Sequence, residues 1–272
     1  MGTVPIWLLA LALGGCASLS PGDFAFGVLG DTPYSTSEVA KLDAMIPRIN
    51  AQPLAFVVHV GDLGSSATTQ GCSNAWLDAR ARQFAAIRAP FIIVPGDNEW
   101  TDCAHHGMDP AARLDAWRQR FCRDAPGLAL ERQRGHCENA RWRMQGFDFV
   151  ALGVPGGSQG PGVTLDAADA WLDDSLARAA RDGAKGAVVF LHADLRFERE
   201  GHDDGYARLR DMLAMHAAKL DGRLTLVHGD THWYRVDTPR PGLRRIEPWG
   251  SPFVSWLRID AGRGGLRVSA DP

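Results

Sequence analysis

Short apolar runs alternate with longer amphipathic stretches along most of the chain. Runs at 24–29, 54–60, 91–94, 186–191 and 224–227 are almost entirely apolar, which is typical of strands buried on both faces of a sheet. Helical periodicity between them predicts helices at 38–50, 74–88, 111–121, 165–181 and 206–220. A hairpin is predicted at 141–153, and short strands after 232. The alternation of strand and helix predicts an α/β fold.

Polar side chains capable of binding metal follow all five apolar runs. They are Asp31, Asp62, Asp97 with Asn98, His192, and Asp230 with His232. In open α/β sheets the carboxyl ends of the strands share one rim, so we expect these groups to converge there. One aspartate after a strand is an ordinary helix cap, but five independent caps do not explain the series. Converging carboxylates repel one another unless cations lie between them, which predicts one or two bound divalent metals.

Composition narrows the class of protein. Among 272 residues, 29 are Lys or Arg and 32 are Asp or Glu, which gives a net charge of −3. This balance gives no reason to expect nucleic acid as a bulk partner. A hydrophobic fraction of 45% excludes a disordered chain. With no repeat or linker after residue 20, residues 21–272 are predicted to form a single domain, which we expect to be monomeric.

The first twenty residues have the pattern of an export signal. They contain no charged side chain, and their apolar run at 6–13 is too short for a membrane span, which needs about 20 residues. Small residues before Cys16 resemble the lipobox of bacterial lipoproteins, which implies lipidation of Cys16. The alternative is an ordinary signal peptide cleaved near 17–20. Both export the protein, and the lipobox predicts a membrane-anchored lipoprotein facing the periplasm or cell exterior.

The other four cysteines are even in number, which in an exported protein suggests two disulfides. Of three connectivities we favour Cys72–Cys103, which ties two loops that follow strand ends, and Cys122–Cys137, which closes a short loop. No CxxC pair is present, which argues against a zinc knuckle. Free buried thiols are the alternative if the protein were cytosolic.

The series of strand-end motifs resembles the calcineurin-like metallophosphoesterases. That superfamily has Asp-x-His, Gly-Asp, Gly-Asn-His-Glu/Asp, a lone His and Gly-His-x-His, each at a strand end and in this order. The match in order and spacing extends over residues 24 to about 235. The resemblance implies a four-layer αββα sandwich of two mixed β-sheets flanked by helices. The counterparts here are Asp31-Thr32-Pro33, Gly61-Asp62, Gly96-Asp97-Asn98-Glu99, His192 and Gly229-Asp230-Thr231-His232.

The resemblance also implies a site with two divalent metal ions. Asp62 would bridge the ions and Asp31 and His232 would bind one of them. The other ion would be bound by Asp97, His192 and Asp230. The implied reaction is phosphoester hydrolysis, in which a metal-bound hydroxide attacks phosphorus in line. The implied substrate is a small phosphate ester or a phosphate of the cell envelope.

Several positions depart from the family pattern. Pro33 stands where the family has a metal-binding His, and Asn98 replaces the His near the leaving group. Asp97 replaces Asn and Asp230 replaces His, so the ligand set becomes four Asp and two His. Two divalent ions against four carboxylates leave about zero formal charge. Such an oxygen-rich set favours Mn, Mg, Ca or Fe over Zn.

Other residues are candidates for the functions that these departures remove. We assign catalytic roles to Asp62, Asn98 and His228, the last because it adjoins a ligand motif. Asn98 and three further residues are candidates for substrate binding: Arg196, His105 and His106. For His105 and His106 the alternative is an exposed loop position.

Neighbours of these motifs are given supporting roles. Tyr34 would fill the space of the missing ligand or pack in its loop, and Glu99 would orient a ligand or cap a turn. The cysteine-bearing insert at about 100–140 would shape the substrate entrance.

Two functions fit this pattern. The first is a metal-dependent phosphoester hydrolase of the cell envelope. The alternative is a catalytically degenerate lipoprotein of the same fold with a binding or structural role. Because Asp97 and Asp230 are still able to bind metal, the substitutions favour the enzyme.

Overall fold

The computed structural model describes residues 23–157, 164–199 and 204–272. The predicted export signal and the lipidation site at Cys16 lie outside the described residues. No described helix combines the length and the apolar character needed to cross a bilayer.

Two mixed sheets form the centre of the described structure. The first has five strands in the order β12-β11-β1-β2-β3, and the second has seven in the order β4-β5-β6-β7-β8-β10-β9. The strands are β1 (Phe24–Leu29), β2 (Val57–His59), β3 (Phe91–Ile93), β4 (Glu131–Gln133), β5 (His136–Met144), β6 (Phe147–Ala151), β7 (Gly186–Phe190), β8 (Leu224–Val227), β9 (Arg235–Arg240), β10 (Leu243–Glu247), β11 (Leu257–Gly262) and β12 (Gly265–Ala270).

The predicted helices are present with small shifts at their ends. They are α1 (Thr36–Asn50), α2 (Asn74–Phe84), α3 (Pro110–Phe121), α4 (Asp166–Arg181) and α5 (Ala207–Lys219). Ser35 caps α1 by accepting the Glu38 N–H. Helix α2 ends earlier than predicted because the Asn50 side chain binds the carbonyl of Ala86 and the N–H of Arg88, both at 2.8 Å.

The layers follow from the alternation of side chains along the strands. Phe26 and Val28 of β1 pack between the sheets against Phe149 and Phe190 of the second sheet. Leu29 instead packs with α1, α2 and α3 on the outer face of the first sheet. Helices α4 and α5 cover the outer face of the second sheet. The predicted αββα sandwich is therefore confirmed.

The ends of the five apolar strands meet at one rim, but this rim is shared by two sheets. Strands β1, β2 and β3 are parallel in the first sheet, and β7 and β8 are parallel in the second. The expectation of a rim on one open sheet is corrected accordingly. A hydrogen bond of 2.9 Å from the Asp31 N–H to the Gly61 carbonyl joins the ends of β1 and β2. A hydrogen bond of 3.0 Å from the Gly229 N–H to the His192 carbonyl joins the ends of β8 and β7.

Candidate metal centre

Four of the six predicted ligands have a left-handed backbone conformation. The φ angles are 51° for Asp31, 62° for Asp62, 79° for Asp230 and 67° for His232. Such angles are uncommon outside glycine and cost free energy unless the surroundings hold them. The chain therefore turns sharply where each strand ends, and the turn keeps the ligand side chain at the rim.

The six predicted ligands come together across the two sheets. The Nε2 atom of His192 lies 3.4 Å from Asp62 Oδ1 and 3.3 Å from Asp97 Oδ1. Two groups have ligand atoms within 4.8 Å of one another, namely Asp31, Asp62 and His192, and Asp97, His192 and Asp230. His232 lies beside the first group, with its Nε2 3.6 Å from Asp31 Oδ1. The cluster thus offers two adjacent positions for cations, and the assignment of ligands to each ion stays a prediction.

Both histidines are held with Nε2 directed toward the carboxylates. His192 Nδ1 lies 2.9 Å from the Val60 carbonyl, and His232 Nδ1 lies 2.9 Å from the Ser251 carbonyl. A carbonyl only accepts, so each Nδ1 carries the proton and donates it. In the neutral ring this leaves the lone pair on Nε2, as a metal ligand requires.

Two atoms of the cluster are buried with no hydrogen-bond partner in the described structure: Asp31 Oδ2 and His192 Nε2. Buried polar atoms are rarely left without a partner. Burial also raises the pKa of Asp31 to about 7 and that of Asp62 well above the ordinary range. A divalent cation would satisfy these atoms and stabilise the ionised carboxylates, so the residues present fit a metal site.

Glycines let the backbone approach these carboxylates closely. A Cβ at Gly156 would lie 2.5 Å from Asp97 Oδ2 and 2.7 Å from Asp230 Oδ1. One at Gly96 would lie 2.0 Å from Asp62 Oδ1. Gly96 belongs to a strand-end motif, whereas the glycine-rich segment around Gly156 gave no sign of a role at the site. The structure brings Gly156 from the loop after β6 against the second ligand group.

Two further glutamates brace the ligand loops. Glu99 accepts the N–H groups of Gly96 at 2.8 Å and Leu63 at 3.0 Å, and so joins the loops that carry Asp97 and Asp62. This agrees with the orienting role predicted for it.

Glu247 was not recognised in the sequence. It accepts the N–H and hydroxyl of Thr231 at 3.0 and 2.6 Å, and so holds the turn between Asp230 and His232. Its position on β10 carries no motif that would have revealed this role.

Tyr34 enters the cluster next to the position where the family's histidine is missing. Its hydroxyl donates to Asp62 Oδ2 at 2.5 Å, lies 3.2 Å from His232 Nε2, and accepts from Asn98 Nδ2 at 2.9 Å. Burial and the nearby Asp62 raise the pKa of Tyr34 well above its ordinary value. Of its two predicted roles the structure supports the first, because the hydroxyl stays protonated and fills the space beside Asp62.

Asn98 lies inside the cluster, whereas His228 lies behind it. The Asn98 N–H donates to Asp62 Oδ1 at 3.1 Å. His228 is fully buried, its Nδ1 lies 2.8 Å from the Gly229 carbonyl, and its Nε2 lies 3.9 Å from Glu247 Oε2. Burial lowers the pKa of His228 to about 4, so its ring is neutral at pH 7. This placement suits bracing of the ligand loop, and the catalytic role of His228 stays a prediction.

The structure does not bring the remaining candidates onto the ligands. His105 is exposed at the end of the 3₁₀ helix Thr101–His106, and His106 Nε2 lies 2.8 Å from the Ser66 carbonyl. Within the described ranges no hydrogen bond or ion pair links the Arg196 guanidinium to a predicted ligand. The substrate-binding roles of His105, His106 and Arg196 therefore stay predictions.

Both predicted disulfides are confirmed. Cys72 pairs with Cys103 and Cys122 with Cys137, each with a Cα–Cα distance of 5.7 Å. The first bond joins the loops that follow β2 and β3, and both of its sulfurs lie near the Asn98 carbonyl, at 3.5 and 3.4 Å. It therefore fixes the cysteine-bearing insert next to the candidate ligands.

No protein-family model matches the sequence, and no curated protein does either. Solved structures match over nearly the whole chain. A dimetal phosphatase from Danio rerio has a TM-score of 0.57 and 13% identity, over 92% of this chain and 99% of that one. GAP50, described as the anchor in the inner membrane complex of Plasmodium, has a TM-score of 0.57 and 12% identity, over 91% of this chain and 84% of that one.

A third similar structure is the 5′-nucleotidase from Candida albicans. Its TM-score is 0.51 at 8% identity, over 90% of this chain and 51% of that chain. The chain has the calcineurin-like metallophosphoesterase fold. At such low identity the likeness shows the phosphoesterase fold alone, and function has to be argued from the site.

Proposed function

We propose that this protein is a divalent-metal-dependent phosphoester hydrolase of the cell envelope. One observation carries the proposal: four aspartates and two histidines converge at the strand ends, and two of their buried ligand atoms make no hydrogen bond. Buried oxygen and nitrogen atoms without a hydrogen bond are destabilising, so a bound cation would stabilise this cluster.

The ions would be held by residues that the fold already positions. Asp31, Asp62 and His232 are assigned to one ion, and Asp97, His192 and Asp230 to the other, with Asp62 between them. When bound, divalent ions stabilise charge on the phosphoryl oxygens and lower the pKa of water. The hydrogen bonds from His192 and His232 to backbone carbonyls keep both rings oriented for this task.

In the family pattern a histidine near the leaving group stands where this chain has Asn98. We assign part of the role of that histidine to Tyr34. Its neutral hydroxyl is a proton-bearing group that lies directly on Asp62 and is oriented by the Asn98 amide. In hydrolysis a water oxygen bonds to phosphorus, the bond to the leaving oxygen breaks, and that oxygen gains a proton. We assign Tyr34 to hydrogen bonding with a phosphoryl or leaving oxygen during this step.

The donor set indicates the class of metal. Four carboxylates with two imidazoles form an oxygen-rich site, which favours Mn, Mg, Ca or Fe over Zn. The same carboxylates offset the charge of two divalent ions, so we expect weaker attraction for free phosphate than at a site with fewer acids.

Export belongs to the same proposal. The Cys16 motif would anchor the protein to a membrane with its domain in the periplasm or outside the cell. Two disulfides are consistent with an oxidising compartment. The substrate would then be a small phosphate ester or a phosphate group of the envelope.

A second candidate is a non-catalytic envelope protein of this fold. The GAP50 match supports it, because that protein is described as an anchor, and Pro33 removes one ligand of the family pattern. Two observations favour the hydrolase over this alternative: the Nε2 atoms of both histidines are directed toward the carboxylates, and the Tyr34 hydroxyl lies on Asp62. A purely structural role requires neither.

The test is metal-dependent turnover. The oxidised mature protein is stripped with chelator, given Mn, Mg, Ca, Fe or Zn in turn, and assayed with p-nitrophenyl phosphate and bis(p-nitrophenyl) phosphate. Asp62→Asn is the inactive variant. Asp221→Asn is the matched control, because Asp221 also has a left-handed φ, of 51°, but its side chain is exposed. Turnover that returns with metal in wild type and Asp221→Asn but not in Asp62→Asn supports the hydrolase. Equal background rates in all three with every metal support the non-catalytic alternative.

A further inference from the structure

Four aromatic side chains form a cluster at the surface beside the candidate metal centre. Trp233 is 61% exposed, Phe253 53% and Tyr234 38%. Their rings surround Trp249, with centroid distances of 5.5 Å to Trp233, 5.0 Å to Phe253 and 6.2 Å to Tyr234. We call these four residues the aromatic platform. Adjoining exposed apolar rings on a soluble domain commonly mark a binding surface.

The aromatic platform is built on the loops that hold a predicted ligand. Trp233 directly follows His232 in the chain, and Trp249 directly precedes Gly250. The Gly250 N–H donates to the His232 carbonyl at 3.1 Å, and the Ser251 carbonyl accepts from the His232 ring at 2.9 Å. A Cβ at Gly250 would lie 2.5 Å from Asp31 Cβ. The backbone that carries the aromatic platform therefore adjoins the predicted ligands His232 and Asp31.

The platform offers ring faces together with hydrogen-bond donors. Within the described parts of the chain, the indole N–H groups of Trp233 and Trp249 and the Tyr234 hydroxyl make no hydrogen bond. A saturated acyl chain would use only the apolar faces. A planar heteroaromatic ring would stack on a face and also accept from these donors, which matches what the platform presents.

We propose that the aromatic platform is the leaving-group subsite of the enzyme, and that it binds a nucleobase or a similar planar heteroaromatic ring. This inference rests on the proposed function, because it identifies the substrate class as phosphoesters that carry such a ring. Trp233 and Phe253 are assigned to stacking, and Trp249 holds the rings together. The metal centre would bind the phosphate of the same molecule.

The test measures binding of adenosine and of ribose to the metal-loaded protein by NMR titration. Adenosine has no phosphoester, so its binding does not depend on turnover. We expect adenosine to bind and ribose not to. Trp233→Ala and Phe253→Ala should each weaken adenosine binding roughly tenfold, the order of magnitude of one stacking contact. Met215→Ala, which removes another exposed apolar side chain on α5, should change nothing. Both target residues are exposed, so the variants are expected to fold.

The outcomes separate this inference from the proposed function. Adenosine binding that is lost in Trp233→Ala supports the subsite even if no phosphoester is hydrolysed. If the enzyme is active, the same variant should raise KM for adenosine 5′-monophosphate and leave KM for ribose 5-phosphate unchanged. No adenosine binding, or binding insensitive to both variants, overturns the inference. Binding of dihexanoyl phosphatidic acid that Trp233→Ala abolishes, without adenosine binding, would assign the platform to lipid instead.

Discussion

Pro33 stands where the family pattern has a metal-binding histidine, and the next residue, Tyr34, contributes a hydroxyl to the cluster. The Tyr34 hydroxyl bonds to Asp62 and lies beside His232, so it orders the side chains that a histidine would otherwise have joined through a metal. At the scale of single residues, a neutral hydrogen-bond donor therefore lies beside the position where the family pattern has a cation ligand.

Removing that donor tests its role. We expect Tyr34→Phe to lower kcat by about 10²-fold, the usual cost of losing one donor aimed at a reacting oxygen, with a smaller effect on metal content. Steady-state kinetics with the preferred metal and metal analysis of the same sample measure both quantities. Wild-type kcat in Tyr34→Phe would show that the hydroxyl only fills space.

Asp97 and Asp230 stand where the family pattern has neutral ligands, and this difference leads to a prediction about metal preference. Asp97→Asn and Asp230→His each replace a carboxylate by the neutral ligand type of the family pattern. A site with fewer carboxylates and more imidazole favours softer ions, so the double variant should shift its relative affinity from Mn and Mg toward Zn. Competition titrations followed by metal analysis measure the shift. An unchanged order of affinities would mean that these two carboxylates do not bind the ions.

At the scale of elements, the sequence was most informative where strands end. The buried runs predicted β1, β2, β3, β7 and β8, and the motif residues after them do lie at one rim. The ends of helices were predicted less accurately where a side chain distant in sequence determines them. Asn50 of α1, for example, binds the backbone just after the end of α2. The short strand β4 (Glu131–Gln133) has no apolar pattern, because its side chains are half-buried or exposed.

Contacts between loops that are distant along the chain could not be predicted from the sequence. Gly156 approaches Asp97 and Asp230 only because β6 and β7 are parallel neighbours in the second sheet. Glu247 reaches Thr231 only because β10 lies next to β8. Neither residue belongs to a motif, so its role follows from topology.

Gly156 supplies a test at this scale. We expect Gly156→Ala to weaken metal binding at least tenfold, since its Cβ would lie 2.5 Å from Asp97 Oδ2 and displace that carboxylate. Isothermal titration with Mn measures the change. Gly264→Ala is the matched control, because a Cβ there meets nothing within 4 Å. Equal affinities in the two variants would show that the loop moves aside without disturbing the ligands.

At the scale of the whole molecule, burial of Glu247 couples stability to pH. Its pKa is raised by burial from 4.5 to about 7, against the opposing effects of Thr231 and Arg235. The folded state therefore holds this proton more tightly than the unfolded state does. The contribution of Glu247 to the free energy of unfolding is therefore fully present below its pKa in the unfolded chain. This contribution is lost as the pH rises through its pKa in the folded protein, about 7.

Replacing Glu247 isolates this contribution. In chelator, wild type should lose about 2 kcal/mol more unfolding free energy than Glu247→Gln between pH 5 and 7.5. The amide keeps the shape and a partner for Thr231, while other titrating groups such as Asp31 are common to both proteins. Urea unfolding at the two pH values measures the difference. Equal losses of unfolding free energy in wild type and Glu247→Gln would show that Glu247 does not retain its proton in the folded protein.

The proposed function requires that the strand ends of the two sheets form one dinuclear metal centre. The most direct measurement is the number of divalent ions bound per chain, determined by calorimetric titration with Mn and by metal analysis after dialysis. We predict two ions in wild type and in Asp221→Asn, and fewer than two in Asp62→Asn, because Asp62 belongs to the first ligand group and its Oδ1 lies 3.4 Å from Nε2 of His192, which both groups share. A wild-type protein that binds no ion, or the same number as Asp62→Asn, would contradict a dinuclear centre at these residues.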